Sequence, residues 1–76
     1  MNTYEVIGVF YYEKNGEQKT IVHYLKPILS KNGSGFSGEK AFLNEHFEVQ
    51  KGDMIKFIFD LGYDGKAYIQ SIEKID

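Results

Sequence analysis

The chain has 76 residues, nine of them Lys and eleven acidic, with no Arg and no Cys. A chain of this length makes one domain and buries only ~60% of the surface it exposes when unfolded, so its core is thin. Without cysteine there can be no disulfide, thiolate metal site or cysteine nucleophile, and a formal net charge of −2 excludes a globally basic nucleic-acid binder.

The absence of Arg removes the side chain best suited to bidentate contacts with phosphate or guanine, so sequence-specific reading of a duplex is not expected. No apolar run approaches the ~20 residues of a membrane span. Met1-Asn2-Thr3-Tyr4-Glu5 has neither the basic start nor the apolar run of a signal peptide, and the expected location is cytoplasmic. Charge is uneven along the chain. Lys19, Lys26, Lys31 and Lys40 stand against Glu39 in residues 18–40, whereas residues 41–65 set Lys51 and Lys56 against Glu45, Glu48, Asp53, Asp60 and Asp64. A basic middle beside an acidic hairpin reads either as a binding face or as a mixed solvated surface.

Residues 3–13 are rich in β-branched and aromatic side chains and read as a first strand. Simple alternation puts Val6, Phe10 and Tyr12 on one face and Ile7, Val9 and Tyr11 on the other, as in a strand lying between two packed layers. Gly8 suggests a bulge or a bend. Asn15-Gly16 is a strong hairpin signal, because both residues tolerate the positive φ of a type I′ turn.

A second strand is predicted from about Gln18 to Lys26, ending at Pro27, which cannot donate to a ladder. Ser30-Lys31-Asn32-Gly33-Ser34-Gly35 reads as a flexible loop. Phe36 to Leu43 forms a weaker third strand interrupted by Gly38. Asn44 to Gln50 offers the one place for a helical turn, with Asn44 as cap and Phe47 and Val49 as anchors. Residues 52–75 read as a closing hairpin around Gly62-Tyr63-Asp64-Gly65. In it Ile55, Phe57, Phe59 and Leu61 line one face, Ile58 the other, and Tyr68 and Ile72 meet the apolar row across the ladder. The whole reads as all-β: one domain, residues 1–76, built as a small five-stranded antiparallel barrel.

Apparent motifs lose force in context. Gly33-Ser34-Gly35-Phe36-Ser37-Gly38 matches G-x-G-x-x-G, but a dinucleotide site needs a preceding strand and a following helix inside a parallel α/β unit. Glu39-Lys40-Ala41-Phe42-Leu43 is too short and too strand-like to be that helix. His23 and His46 show no metal-ligand spacing, so no metal is expected. Asp53, Asp60 and Asp64 stand beside glycines, where aspartate is first a turn former and only secondarily an acid–base candidate. With no catalytic constellation and no cofactor motif, the expectation is a protein that is not an enzyme and takes no cofactor.

Six Tyr and six Phe exceed what so thin a core can hold. Aromatics interleaved with lysines are what sequence-tolerant single-strand binders present, although Tyr and Phe also enrich protein interfaces and ordinary strands. Lys51-Gly52-Asp53, Ile55-Lys56-Phe57, Gly65-Lys66-Ala67 and Ile72-Glu73-Lys74-Ile75 together resemble the closing two strands of bacterial cold-shock proteins, over about twenty-five residues. The first two thirds depart from that family. Its aromatic-rich RNA-binding motifs have no match here, and Phe36-Ser37-Gly38 and Ile21-Val22-His23-Tyr24 are only distant echoes of them. The resemblance implies an OB-like barrel, with an SH3-like barrel as the alternative.

Two functions follow as expectations. One is weak, sequence-independent binding of single-stranded nucleic acid through Lys19, Tyr24, Lys26, Lys31, Phe36 and Lys40. The other is a protein-interaction or assembly module without nucleic acid, in which a thin-cored barrel also forms a homo-oligomer.

Overall fold

The computed structural model describes residues 3–75. They form five strands: β1 (Thr3–Lys14), β2 (Glu17–Ser30), β3 (Gly33–Leu43), β4 (Met54–Leu61) and β5 (Ala67–Ile75). All pairings are antiparallel, in one sheet of order β3-β2-β1-β4-β5. The edge strands β3 and β5 approach each other but share no ladder. The sheet is thus strongly curled rather than hydrogen-bonded into a closed barrel.

The sheet folds around Val6, Val22, Ala41, Leu43, Val49, Ile55 and Phe57, with Tyr4, Val9, Tyr24, Phe47, Ile69 and Ile72 packed against them. Two bulges decide which residues reach this core. In β1, Val6 faces Tyr24 and Gly8 faces His23, leaving Ile7 unpaired. An extra residue shifts the two-residue period by one. Val6 and Val9 therefore both point inward, and Phe10, opposite Ile21, points out. The face shared by Val6, Phe10 and Tyr12 in simple alternation does not exist: Val6 is 0% exposed and Phe10 59%.

In β5, Ile58 faces Ser71 and Phe59 faces Ile69, so Gln70 is the extra residue. Ile69 and Ile72 then both pack inward, while Tyr68 lies opposite Asp60 instead of joining the apolar row. The closing hairpin is only half buried. Ile55 and Phe57 enter the core, but Phe59 and Leu61 are 61% and 69% exposed, because the hairpin runs past the part of the sheet that covers it.

The turns fall where glycine and asparagine stand. Asn15 and Gly16 take φ of 54° and 80°, the left-handed geometry of a type I′ hairpin turn. Pro27 does not end β2, which continues to Ser30 paired with β3. The ladder between β1 and β2 ends at Glu5 and Leu25. Past that point β2 is an edge, where a missing N–H is tolerated. Residues 30–35 are accordingly the tip of a two-stranded arm, not a free loop. This arm makes the molecule long, 46 × 31 × 21 Å with a radius of gyration of 13.7 Å, against about 11 Å for a compact chain of this size.

The segment 44–53 is extended and turned, not helical. The reason lies in Thr20, which is fully buried. Its hydroxyl donates to the Glu45 carbonyl at 2.7 Å and accepts the Phe47 amide at 3.2 Å, occupying backbone groups a helical turn would need. Phe47 and Val49 anchor the segment on the core as expected. The Val6 amide donates to the Asp53 carbonyl at 2.9 Å and the Gly52 amide to the Val6 carbonyl at 2.8 Å, fixing its far end beside the β1 bulge.

Candidate nucleic-acid interface

The outer face of β1, β2 and β3 carries exposed aromatic side chains together with Lys40, which joins no ion pair among the described residues. Directly opposed residues of neighbouring strands share a face, so the register assigns it row by row. Phe10, Ile21 and Phe42 lie side by side across the three strands, and Gly8, His23 and Lys40 form the next row. Tyr12 and Lys19 pair toward the β1–β2 turn, and Pro27 and Phe36 pair out on the arm. Phe10 and Phe42 are each 59% exposed and Phe36 is 69% exposed.

The bulge that turns Phe10 outward also gives it a place to lean. A Cβ on Gly8 would stand 3.6 Å from Phe10 Cε2 and 3.7 Å from His23 Cβ, ordinary contact distances, so the ring leans over the Gly8 backbone beside His23. Phe10 meets the His23 imidazole edge to face, with centroids 5.3 Å apart and planes at 78°. Such pairs contribute about 0.5–1.5 kcal/mol beyond their burial, which fixes two π-systems as one platform.

The six residues anticipated from sequence divide. Lys40 and Phe36 lie on the platform face. Lys19 lies there too, but its ammonium bonds Glu17 Oε2 at 3.0 Å and the Asn44 carbonyl at 3.3 Å, with its side chain 14% exposed. Lys26 is exposed on the opposite side of the arm and Lys31 sits in the turn at its tip. Among the described residues, Lys26, Lys31 and Lys40 join no ion pair.

Tyr24 belongs to the other face altogether. Its ring packs 5.0 Å from Tyr4 and 4.9 Å from Phe57. Burial first, then the Glu39 carboxylate and Tyr4, hold its phenol above the usual value of about 10.0. The residues that sequence reasoning missed are Phe10, His23 and Phe42. Gly8 was the available signal, since a glycine inside a strand marks a bulge and a bulge inverts the faces that follow.

Away from the platform, Asn44, Leu61, Gly62, Tyr63 and Tyr68 line an open cleft of about 530 Å³ at the β4–β5 turn. Asp60 and Asp64 stand beside it, and their carboxylates accept the Leu61 and Lys66 amides at 2.8 and 3.0 Å. Polyanions are disfavoured there. Among the described residues no three His, Asp or Glu side chains converge in a way that could hold a metal ion. Compared with models of known protein families, with curated proteins and with solved structures, the chain matches none of them.

Proposed function

We propose that this protein is a small, non-enzymatic binding domain that takes single-stranded nucleic acid, without sequence preference, on the outer face of β1–β3. The observation that carries the reading is the row of Phe10, Ile21 and Phe42 across three neighbouring strands, with both phenyl rings exposed, Ile21 half-buried between them, and His23 and Lys40 in the adjoining row. Aromatic rings accept the π-face of any base, and lysines track the phosphates. The lack of Arg suits binding that does not read base edges.

An OB-like architecture is the fold we favour for it. The order β3-β2-β1-β4-β5, with its two edges drawn together, supports an OB-like barrel over an SH3-like one. OB folds bind oligonucleotides on strands two and three between the first and last hairpin loops. The similarity of the closing hairpin to cold-shock proteins agrees with that reading.

A salt titration with a labelled single-stranded oligonucleotide tests the function. Lys31 and Lys40, with Lys19 where it exchanges Glu17 for phosphate, give an expected log–log slope between about −1.4 and −2.1. Absence of binding at low salt, or binding indifferent to salt, would rule the reading out.

One observation favours a second reading as a protein-interaction module: Leu29, at the end of the β2–β3 arm, is 88% exposed beside an unpaired strand edge. Strand edges and exposed apolar residues invite association. Sedimentation decides for self-association, which would appear as a concentration-dependent dimer weakened by Leu29→Lys.

A further inference from the structure

Building on the proposed function, the geometry points to a direction: we infer that the bound single strand lies lengthwise along β3, from Phe42 to Phe36, with Gly38 as the bare floor of the track. On a strand every second residue shares a face. The outer positions of β3 are therefore Phe36, Gly38, Lys40 and Phe42, opposite Pro27, Leu25, His23 and Ile21 of β2. Each two-residue step is ~7 Å and the whole run ~20 Å, so each step has the length of one extended nucleotide. The sequence of groups is an aromatic plate, a gap, a cation and a second aromatic plate.

A path across the strands is poorer. Phe10 and Phe42 stand about 10 Å apart, two strand spacings, with aliphatic Ile21 between them. The row also ends at β1, since β4 pairs with β1 only over Thr3–Glu5.

Gly38 is the independent observation. Glycine weakens a strand interior and needs a reason there. A Cβ at Gly38 would meet nothing within 4 Å, and its φ lies outside the left-handed range. Neither packing nor backbone geometry requires glycine. What the missing side chain leaves is a bare stretch of backbone between Phe36 and Lys40, against which a sugar–phosphate can lie.

The test compares a dinucleotide with an oligonucleotide of about eight residues, within the ~4–16 that one such fold accommodates. They are titrated against the wild type, Gly38→Val and Phe36→Ala. The wild type binds the longer strand at least tenfold more tightly. Gly38→Val leaves the thermal midpoint equal or higher, leaves dinucleotide binding intact and weakens the longer strand by about tenfold, as loss of one stacked base does. Phe36→Ala, truncating an exposed ring, gives the same length-selective loss. The inference is overturned if both variants hold the longer strand as the wild type does, or if the two lengths bind equally well. Those results leave platform binding itself intact. If the wild type binds neither oligonucleotide, the proposed function falls together with the track.

Discussion

Phe10 and His23 meet edge to face at 5.3 Å on the outside of the sheet, because Ile7 is left unpaired in the bulge that precedes them. Without that extra residue, alternation would carry Phe10 inward beside Val6. The bulge is thus the local cause of the binding platform. Phe42→Ala is expected to weaken single-strand binding by roughly 1–3 kcal/mol, and Phe10→Ala by less, since Phe10 lies beside the β3 track and acts through its contact with His23. Both rings are more than half exposed, so the midpoint of denaturant unfolding stays close to wild type. Parallel titrations and unfolding curves on the two variants check this.

Thr20 is the polar centre of an otherwise apolar core. Thr20→Val keeps the shape but leaves the Glu45 carbonyl and the Phe47 amide without the partner each has now. The expected destabilisation is about 1–3 kcal/mol, measured by chemical denaturation. Hydrogen exchange at Phe47 rises with it, since this hydroxyl holds segment 44–53 on the sheet. Equal stability of the variant would mean the hydroxyl does not secure that segment.

Tyr24 gives the fold a limit at alkaline pH. Its phenol is raised above about 10.0 by burial, by Glu39 and by Tyr4, so the folded chain keeps a proton that the unfolded chain releases. The stability this adds is complete below the unfolded value and disappears as pH rises through the folded one. Tyr24→Phe is expected to flatten the fall in unfolding free energy above pH about 10. Unfolding curves at several alkaline pH values, for wild type and variant, show whether the slopes differ.

Core truncation separates stability from binding. Leu43 is 1% exposed, opposite Thr20 and one residue from Phe42. Leu43→Ala is expected to cost ~2–5 kcal/mol, with the value set by how far the cavity collapses. At temperatures where the variant remains folded, its affinity for a single strand stays near wild type, as the platform is on the opposite face of β3. Calorimetry and a titration on the same sample measure the two effects together.

Much of the fold was legible because it rests on local chemistry. Asn15-Gly16 takes the positive φ expected of it, and the five apolar runs became the five strands. What was not legible depends on neighbours distant in sequence. Pro27 looks like a stop until β1 is seen to end alongside Leu25. Asn44 looks like a helix cap until Thr20, 25 residues away from Glu45, takes the backbone groups concerned. Phe59 and Leu61 have the spacing of core residues, yet the sheet does not extend far enough to cover them. The candidate site follows the same rule. Lys40 and Phe36 were visible as exposed-type residues in a basic segment. Tyr24 was misplaced, and Phe10 and Phe42 were missed, because a strand that is apolar on both faces does not state which face is covered.

The most direct measurement is a map of backbone amide and aromatic chemical shifts as a short single-stranded oligonucleotide is added at low salt. The prediction is a saturable set of changes centred on Phe10, Ile21, His23, Lys40 and Phe42 and spreading along β3 to Phe36. Changes confined to the cleft at Leu61, Tyr63 and Tyr68, or none at saturating oligonucleotide, would contradict binding on the outer face of β1–β3.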